Sequence, residues 1–356
     1  MLYLFAAILL FGVLIAVHEL GHFFAAKACG VRVNELAIGM GPLLLRKVRG
    51  ETVYSLRLLP IGGFCDMEGE EEESEDPRSL SRQGFWKKFL IYVAGAAMNF
   101  LIGFLIMLLL YLPATAFYDM QIVELHENFP QQGESGVMIG DRIHSINGER
   151  IYVRSDIDLV FSLIERDENG TIEIVFERGG EKLTRTLTLQ TYLDEEGKEY
   201  RAYGFTYGGM IEATPLMKLR QSWYATIDYV RMVRLSMQML FTGAAGTEDL
   251  SGPIGIVSTI TQVGEEAEAS GGVLAAFESI GYFAAMIAVN LAVMNLLPIP
   301  ALDGGKVFFL LINSVALLLF KRQIPAKYEN YIHGAGFALL MALMLYVTFN
   351  DVLKLI

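Results

Sequence analysis

Two imidazoles and a carboxylate stand within five residues of this chain, at His18-Glu19-Leu20-Gly21-His22. On a helix, positions 18 and 22 lie one turn apart on a single face, so both rings can bind one metal ion. Glu19 sits on the neighbouring edge of that face. From there it reaches a metal-bound water more readily than the ion. Two nitrogen ligands, a carboxylate base and an open position for water make up a zinc-hydrolase arrangement. The setting sharpens the motif. Residues 2–17 carry no charge, and ionisable groups at membrane depth are costly, which favours a functional role over polar residues snorkelling to an interface.

Two histidines leave such a site one protein ligand short. Asp303 is the best candidate. It closes Leu302-Asp303-Gly304-Gly305, just after Pro298 and Pro300. Two prolines and two glycines around one carboxylate imply a broken helix, and broken helices at membrane depth line cavities. The plain alternative is a helix-breaking turn residue. Cys29 and Cys65 are too few for a disulfide framework and read as free thiols, not as ligands.

The elements that must carry these residues follow from composition. Of 356 residues, 53% are hydrophobic and 19% charged, and the mean hydropathy is +0.41. An ordinary soluble protein is excluded, and a membrane protein with a soluble part is expected. The net charge of −12 offers no basic face to phosphates, so nucleic acid is not an expected partner.

The expected fold is a multi-pass α-helical membrane protein with about four transmembrane helices. A small membrane-associated β-sheet and an inserted PDZ-like α+β domain complete it. The first span covers 1–30, is too long for a signal peptide and is retained. Residues 31–88 form the sheet, with Arg49-Gly50-Glu51 as a hairpin turn and Leu58–Phe64 dipping into protein-lined membrane. The acidic run 68–77 reads as a solvated loop. The second span covers 89–114. Its small residues permit close packing, and its Asn99 faces either the metal site or a neighbouring helix, the helix being the simpler reading.

Residues 115–212 alternate as strand, strand, helix, strand, strand. Asn147-Gly148 marks a tight turn and Ser155–Glu165 a helix. This order resembles a PDZ domain, which binds peptide ends by strand addition. His126 and His144 read as surface residues. An amphipathic helix and linker occupy 213–270, with a turn at 248–255. The third span and a partial continuation fill 271–320. The last span covers 328–356, with His333 at its interface. Lysines and arginines cluster between spans one and two and between spans three and four. Both loops are therefore expected in the cytoplasm, with the termini and the PDZ-like domain outside.

In this order, the His18–His22 helix, the PDZ-like insertion and Asn295-Leu296-Leu297-Pro298-Ile299-Pro300-Ala301-Leu302-Asp303-Gly304 resemble the site-2 protease family, peptidase family M50. The nearest branch is its bacterial regulator-of-sigma type, in a short form with one PDZ domain. The resemblance spans essentially the whole chain. It implies Zn2+ on His18, His22 and Asp303, with Glu19 as general base. It also implies that Asn295 holds substrate or stabilises the oxyanion, with Asn290 and Pro298 as further substrate-positioning candidates. Implied partners are membrane lipid and single-span membrane proteins, namely anti-sigma factors already shortened outside, or signal-peptide remnants. The implied location is a bacterial cell membrane, with the active site near its cytoplasmic side.

Three other readings compete. A zinc protease with a glutamate as third ligand would lack the Leu-Asp-Gly segment. A PDZ scaffold would have no need of Glu19. A transporter would show an inverted repeat.

Overall fold

The computed structural model describes residues 2–70, 74–127, 129–164, 170–193, 197–243, 246, 251–322 and 325–355. Parts of three expected features, the acidic run at 71–73, the helix end at Glu165 and the turn at 248–250, lie outside these residues. The chain divides into two compact units, Met1–Ile106 with Val233–Ile356, and Met107–Met232.

Helix α1 (Leu2–Ala28) is apolar and free of proline. It ends where Gly30 turns left-handed (φ 77°) and the Val31 N–H returns to the Ala26 carbonyl at 2.9 Å. This is a Schellman-type stop, which only glycine adopts without steric cost. Strands β1 (Val33–Arg49) and β2 (Thr52–Met67) form a long hairpin. Gly50, at φ 64°, makes the expected turn.

Each strand folds back, so their halves lie side by side. Glu35–Ile38 is flanked by Gly63–Asp66 on one side and by Val53–Leu56 on the other. Val53–Leu56 is therefore interior, paired also to Leu45–Val48. Gly63–Met67 is the edge. Helix α2 (Phe85–Tyr111) follows.

The second unit is built on a four-stranded sheet. In chain order its elements are β3 (Ala116–Tyr118), β4 (Ile122–Leu125), β5 (Arg142–Ile146), β6 (Glu149–Arg150), α3 (Arg154–Ile164), β7 (Thr171–Arg178), β8 (Glu181–Thr188), β9 (Gln190–Leu193), β10 (Glu199–Ala202), β11 (Phe205–Tyr207), β12 (Met210–Glu212) and α4 (Pro215–Thr242). The sheet order is β6-β5-β7-β8. The pairs β3–β12, β4–β11 and β9–β10 surround it. Asn147 and Gly148 both take positive φ (48° and 81°), which makes the two-residue hairpin turn their sequence indicates. Ile143, Ile146, Ile157, Ile172, Ile174 and Phe176 fill the core. Arg231 of α4 pairs with buried Asp156 at the start of α3 and with Glu149. His144 is not a surface residue as expected. Its side chain is 11% exposed, beside Glu177. It lies on the face of β5 opposite Ile143, where the side chains of Glu177 and Arg150 cover it.

Helix α5 (Pro253–Asn295) starts where a linker was expected. Its glutamates and glycines look linker-like. However, Ile260 and Gly264 pack on Tyr3 of α1, and Tyr3 donates to Glu268 at 2.8 Å. Tertiary packing thus overrides local composition. Gly272 (φ 79°) breaks the helix. Helix α6 (Asp303–Phe320) is a separate helix rather than a continuation of α5, and α7 (Ala326–Leu355) ends the chain. Among the described residues, five helices are long and apolar enough to cross a membrane: α1, α2, α5, α6 and α7.

Candidate metal centre

The first unit brings together α1, α2, the β2 edge and the α5–α6 turn. Small residues let the helices close. A Cβ on Gly21 would lie 2.4 Å from the Ala94 carbonyl oxygen. A Cβ on Gly95 would lie 2.4 Å from His22 Nε2 and 2.7 Å from His18 Cε1. The backbone of α2 therefore forms the floor under both imidazoles.

Asp303 arrives by a tight turn over 296–302. A Cβ on Gly304 would lie 2.2 Å from the Leu297 carbonyl oxygen, so the Asp-Gly sequence allows α6 to start against its own turn. Ala301 takes a strained left-handed conformation (φ 76°). It is held there by its N–H, which donates to His333 Nδ1 at 2.9 Å. His333 is thus a brace for the Asp303 turn. Gly336, one turn further along α7, makes room for Pro300. The pair at 333 and 336, one helical turn apart, was the available sequence signal.

His18 Nε2, His22 Nε2 and Asp303 Oδ2 form a nearly equilateral triangle. His18 to His22 is 3.2 Å, His18 to Asp303 3.1 Å and His22 to Asp303 3.2 Å. Donors placed about 2.0–2.1 Å from a tetrahedral zinc stand about 3.3 Å apart, so the donor set fits that ion. Among the described residues this is the one His/Cys/Asp/Glu group able to hold a metal.

His22 Nδ1 faces the Ile91 carbonyl oxygen at 2.8 Å. Donating there places its proton on Nδ1 and leaves Nε2 free to bind a metal. Glu19 lies beside the triangle, against the backbone of Gly63. All four side chains line a cavity of about 530 Å³, with Gly63–Met67, Glu70, Tyr92 and Lys306. Cys65 also lines this cavity, but it does not belong to the group whose donor atoms lie together, which is His18, His22 and Asp303.

The amide ends of Asn295 and Asn99 each lie 3.5 Å from His18 Nδ1. Asn99 therefore faces the site as well as the neighbouring helix. It is 1% exposed, and its Oδ1 has no partner. Exchanging the oxygen and nitrogen of this amide, which look alike in outline, points the oxygen at His18 Nδ1. That satisfies a buried acceptor and fixes His18 with Nε2 toward the metal. Asn99→Leu is expected to weaken zinc binding about 10–100-fold. Competition against a chromogenic chelator measures it, and unchanged affinity would remove Asn99 from this role.

Asn290 is exposed and does not join the cluster. Five helical positions before Asn295, it points about 140° away from that residue's face. Pro298 is exposed in the 296–302 turn and does not line the cavity. The β2 segment at the site is Gly63–Met67, while Val53–Leu56 of the same strand is already paired on both sides.

Apolar helices around an inward-facing two-histidine, one-carboxylate cluster define the class of a membrane-embedded metallohydrolase. The chain matches the model for peptidase family M50 over residues 6–343 and belongs to that family. A Clostridium perfringens protein carrying a zinc-metalloprotease name is 37% identical over 353 residues, covering 99% of each chain. A similarly named protein of Fusobacterium nucleatum is 30% identical over 359 residues, covering 98% of each. The Regulator of sigma-W protease RasP of Bacillus subtilis is 28% identical over 435 aligned positions, again covering 98% of each chain.

Proposed function

We propose that the chain is a zinc-dependent intramembrane endopeptidase that cuts single-span membrane proteins. The observation that carries this reading is the donor triangle of His18, His22 and Asp303, with Glu19 beside it, among apolar helices. Zinc bound by these three side chains would supply a Lewis acid for the scissile carbonyl and bring the pKa of water toward neutrality. Glu19 takes the proton from the attacking water and hands it to the leaving amine. Asn99 and the Ile91 carbonyl hold the two imidazoles in the required tautomers. Asn295, at the end of α5, is close enough to help orient His18.

A helical substrate hides its carbonyls in its own hydrogen bonds and must unwind before it is cut. The edge segment Gly63–Met67 lines the cavity and can receive the unwound stretch by strand addition. Anti-sigma factors shortened outside the cell, or signal-peptide remnants, are the proposed substrate classes. The sigma-W name of the Bacillus relative supports the first. Residues 115–212 form a PDZ-like domain that selects chain ends. The basic residues between α1 and α2 support a cytoplasmic position for that loop in a bacterial cell. The PDZ-like domain then lies outside. If α6 returns without crossing, both termini lie outside too.

The test is the full-length enzyme in liposomes with a tagged single-span protein trimmed on its outer side, the products being mapped by mass spectrometry. A chelator-sensitive cut inside the apolar segment is expected. Cuts confined to the soluble flanks would overturn the intramembrane reading.

A further inference from the structure

One charged pair at the cavity is neither metal ligand nor general base. Lys306 follows Asp303 by three residues and so shares its face of α6. Its ammonium is 2.6 Å from Glu70 Oε1 and 5.8 Å from the centre of the Tyr92 ring. Glu70 stands three residues beyond the end of β2. Lys306 and Glu70 both line the cavity with Gly63–Met67. The turn between is fastened on its other side. The Glu68 N–H donates to the Arg32 carbonyl at 3.0 Å, and the Glu68 carboxylate accepts from Asn34 and Ser74. Glu68 thus ties the turn to the hairpin. Glu70 reaches the opposite way, to the helix that carries Asp303.

We infer that the Lys306–Glu70 pair is a latch that fixes the spacing between the edge segment Gly63–Met67 and the metal-binding face of α6. It thereby sets the width of the slot a substrate strand must enter. The inference rests on the reading of Gly63–Met67 as the strand that receives substrate. The pair is suited to the task because it is partly buried, at 33% exposure for Lys306 and 18% for Glu70. Screening by solvent is weaker there than at a surface ion pair. Lys306 is thus a positioning residue. Releasing the latch widens the slot and costs substrate alignment.

The test compares the full-length, zinc-loaded protein with Lys306→Met, Glu70→Gln and Lys306→Arg. Hydrogen exchange at the backbone amides of 63–70 is followed by mass spectrometry. Exchange there is expected to quicken about tenfold or more in the Met and Gln variants and to stay near wild type in the Arg variant, with zinc content unchanged in all. In the single-span cleavage assay, KM is expected to rise about fivefold or more in the first two, with kcat within about twofold of wild type. Unchanged exchange in both variants would overturn the latch whatever the activity shows. Faster exchange with unchanged KM would overturn its role toward substrate. Loss of zinc from Lys306→Met would also overturn it, by making Lys306 part of the metal site. If exchange responds but the wild type cuts no single-span protein, the latch stands and the substrate reading falls.

Discussion

Glu19→Gln is expected to keep its zinc and to lose proteolysis by about 10²–10⁴-fold, the usual worth of a positioned general base. The two outcomes separate because Glu19 is not a corner of the donor triangle. The ligand atoms belong to His18, His22 and Asp303, and none of the three is touched by the change. Gln is nearly isosteric, so the packing of this side chain against Gly63 survives. The amide cannot take a proton from water. Metal content by elemental analysis and cleavage of a single-span substrate, measured on the same preparation, check both halves. A Gln variant that cut at the wild-type rate would remove Glu19 from the chemistry. A variant that lost its metal would make Glu19 a ligand.

The second large effect is expected from a residue with no side chain. Gly95→Ala places a methyl group 2.4 Å from His22 Nε2 and 2.8 Å from His18 Nε2, inside the space the ligand atoms occupy. Parting the helices to admit it would give up the close approach of Gly21 of α1 to the Ala94 carbonyl. The imidazoles must move instead, and ligand atoms 3.1–3.2 Å apart tolerate little movement. Zinc affinity is expected to fall at least about 100-fold, with overpacking costing about 1–3 kcal/mol of stability. Gly103→Ala is the control. It meets a movable Val289 side chain at 2.7 Å, away from the metal site. It is expected to cost stability alone and to keep its zinc. Equal zinc affinity in Gly95→Ala and wild type would contradict the packing argument.

How far the site was legible follows from where its parts lie along the chain. His18 and His22 are separated by one helical turn, so spacing alone puts them together. Asp303 is 281 residues from His22, and its place rested on the prolines and glycines that break the helix around it. Those are strong local signals, and the structure does bring Asp303 to both histidines. Gly95, Lys306 and His333 were not legible as parts of the site, and Asn99 was left between the metal site and a neighbouring helix. Each belongs to an apolar helix, where a glycine, an amide or a single polar side chain has many uses. Only the close approach of two helices decides which residue meets an imidazole. The hairpin turn at Gly50 and the strand–helix order of 142–188 were readable from glycines and alternation. The folding-back of β1 and β2 was not. It made Val53–Leu56 an interior strand and left Gly63–Met67 at the cavity. Helix α5 was hidden for a different reason. Its first half is polar enough to pass for a linker, and its helical state depends on burying Ile260 against α1.

The central claim is that His18, His22 and Asp303 hold one zinc ion, with Cys65 excluded although it lies in the same cavity. X-ray absorption at the zinc edge, on the purified full-length protein, addresses that claim most directly. The account predicts one zinc per chain with nitrogen and oxygen neighbours only, at about 2.0–2.1 Å, and loss of that zinc in Asp303→Ala. A sulfur neighbour at about 2.3 Å, or full zinc occupancy after Asp303→Ala, would contradict it.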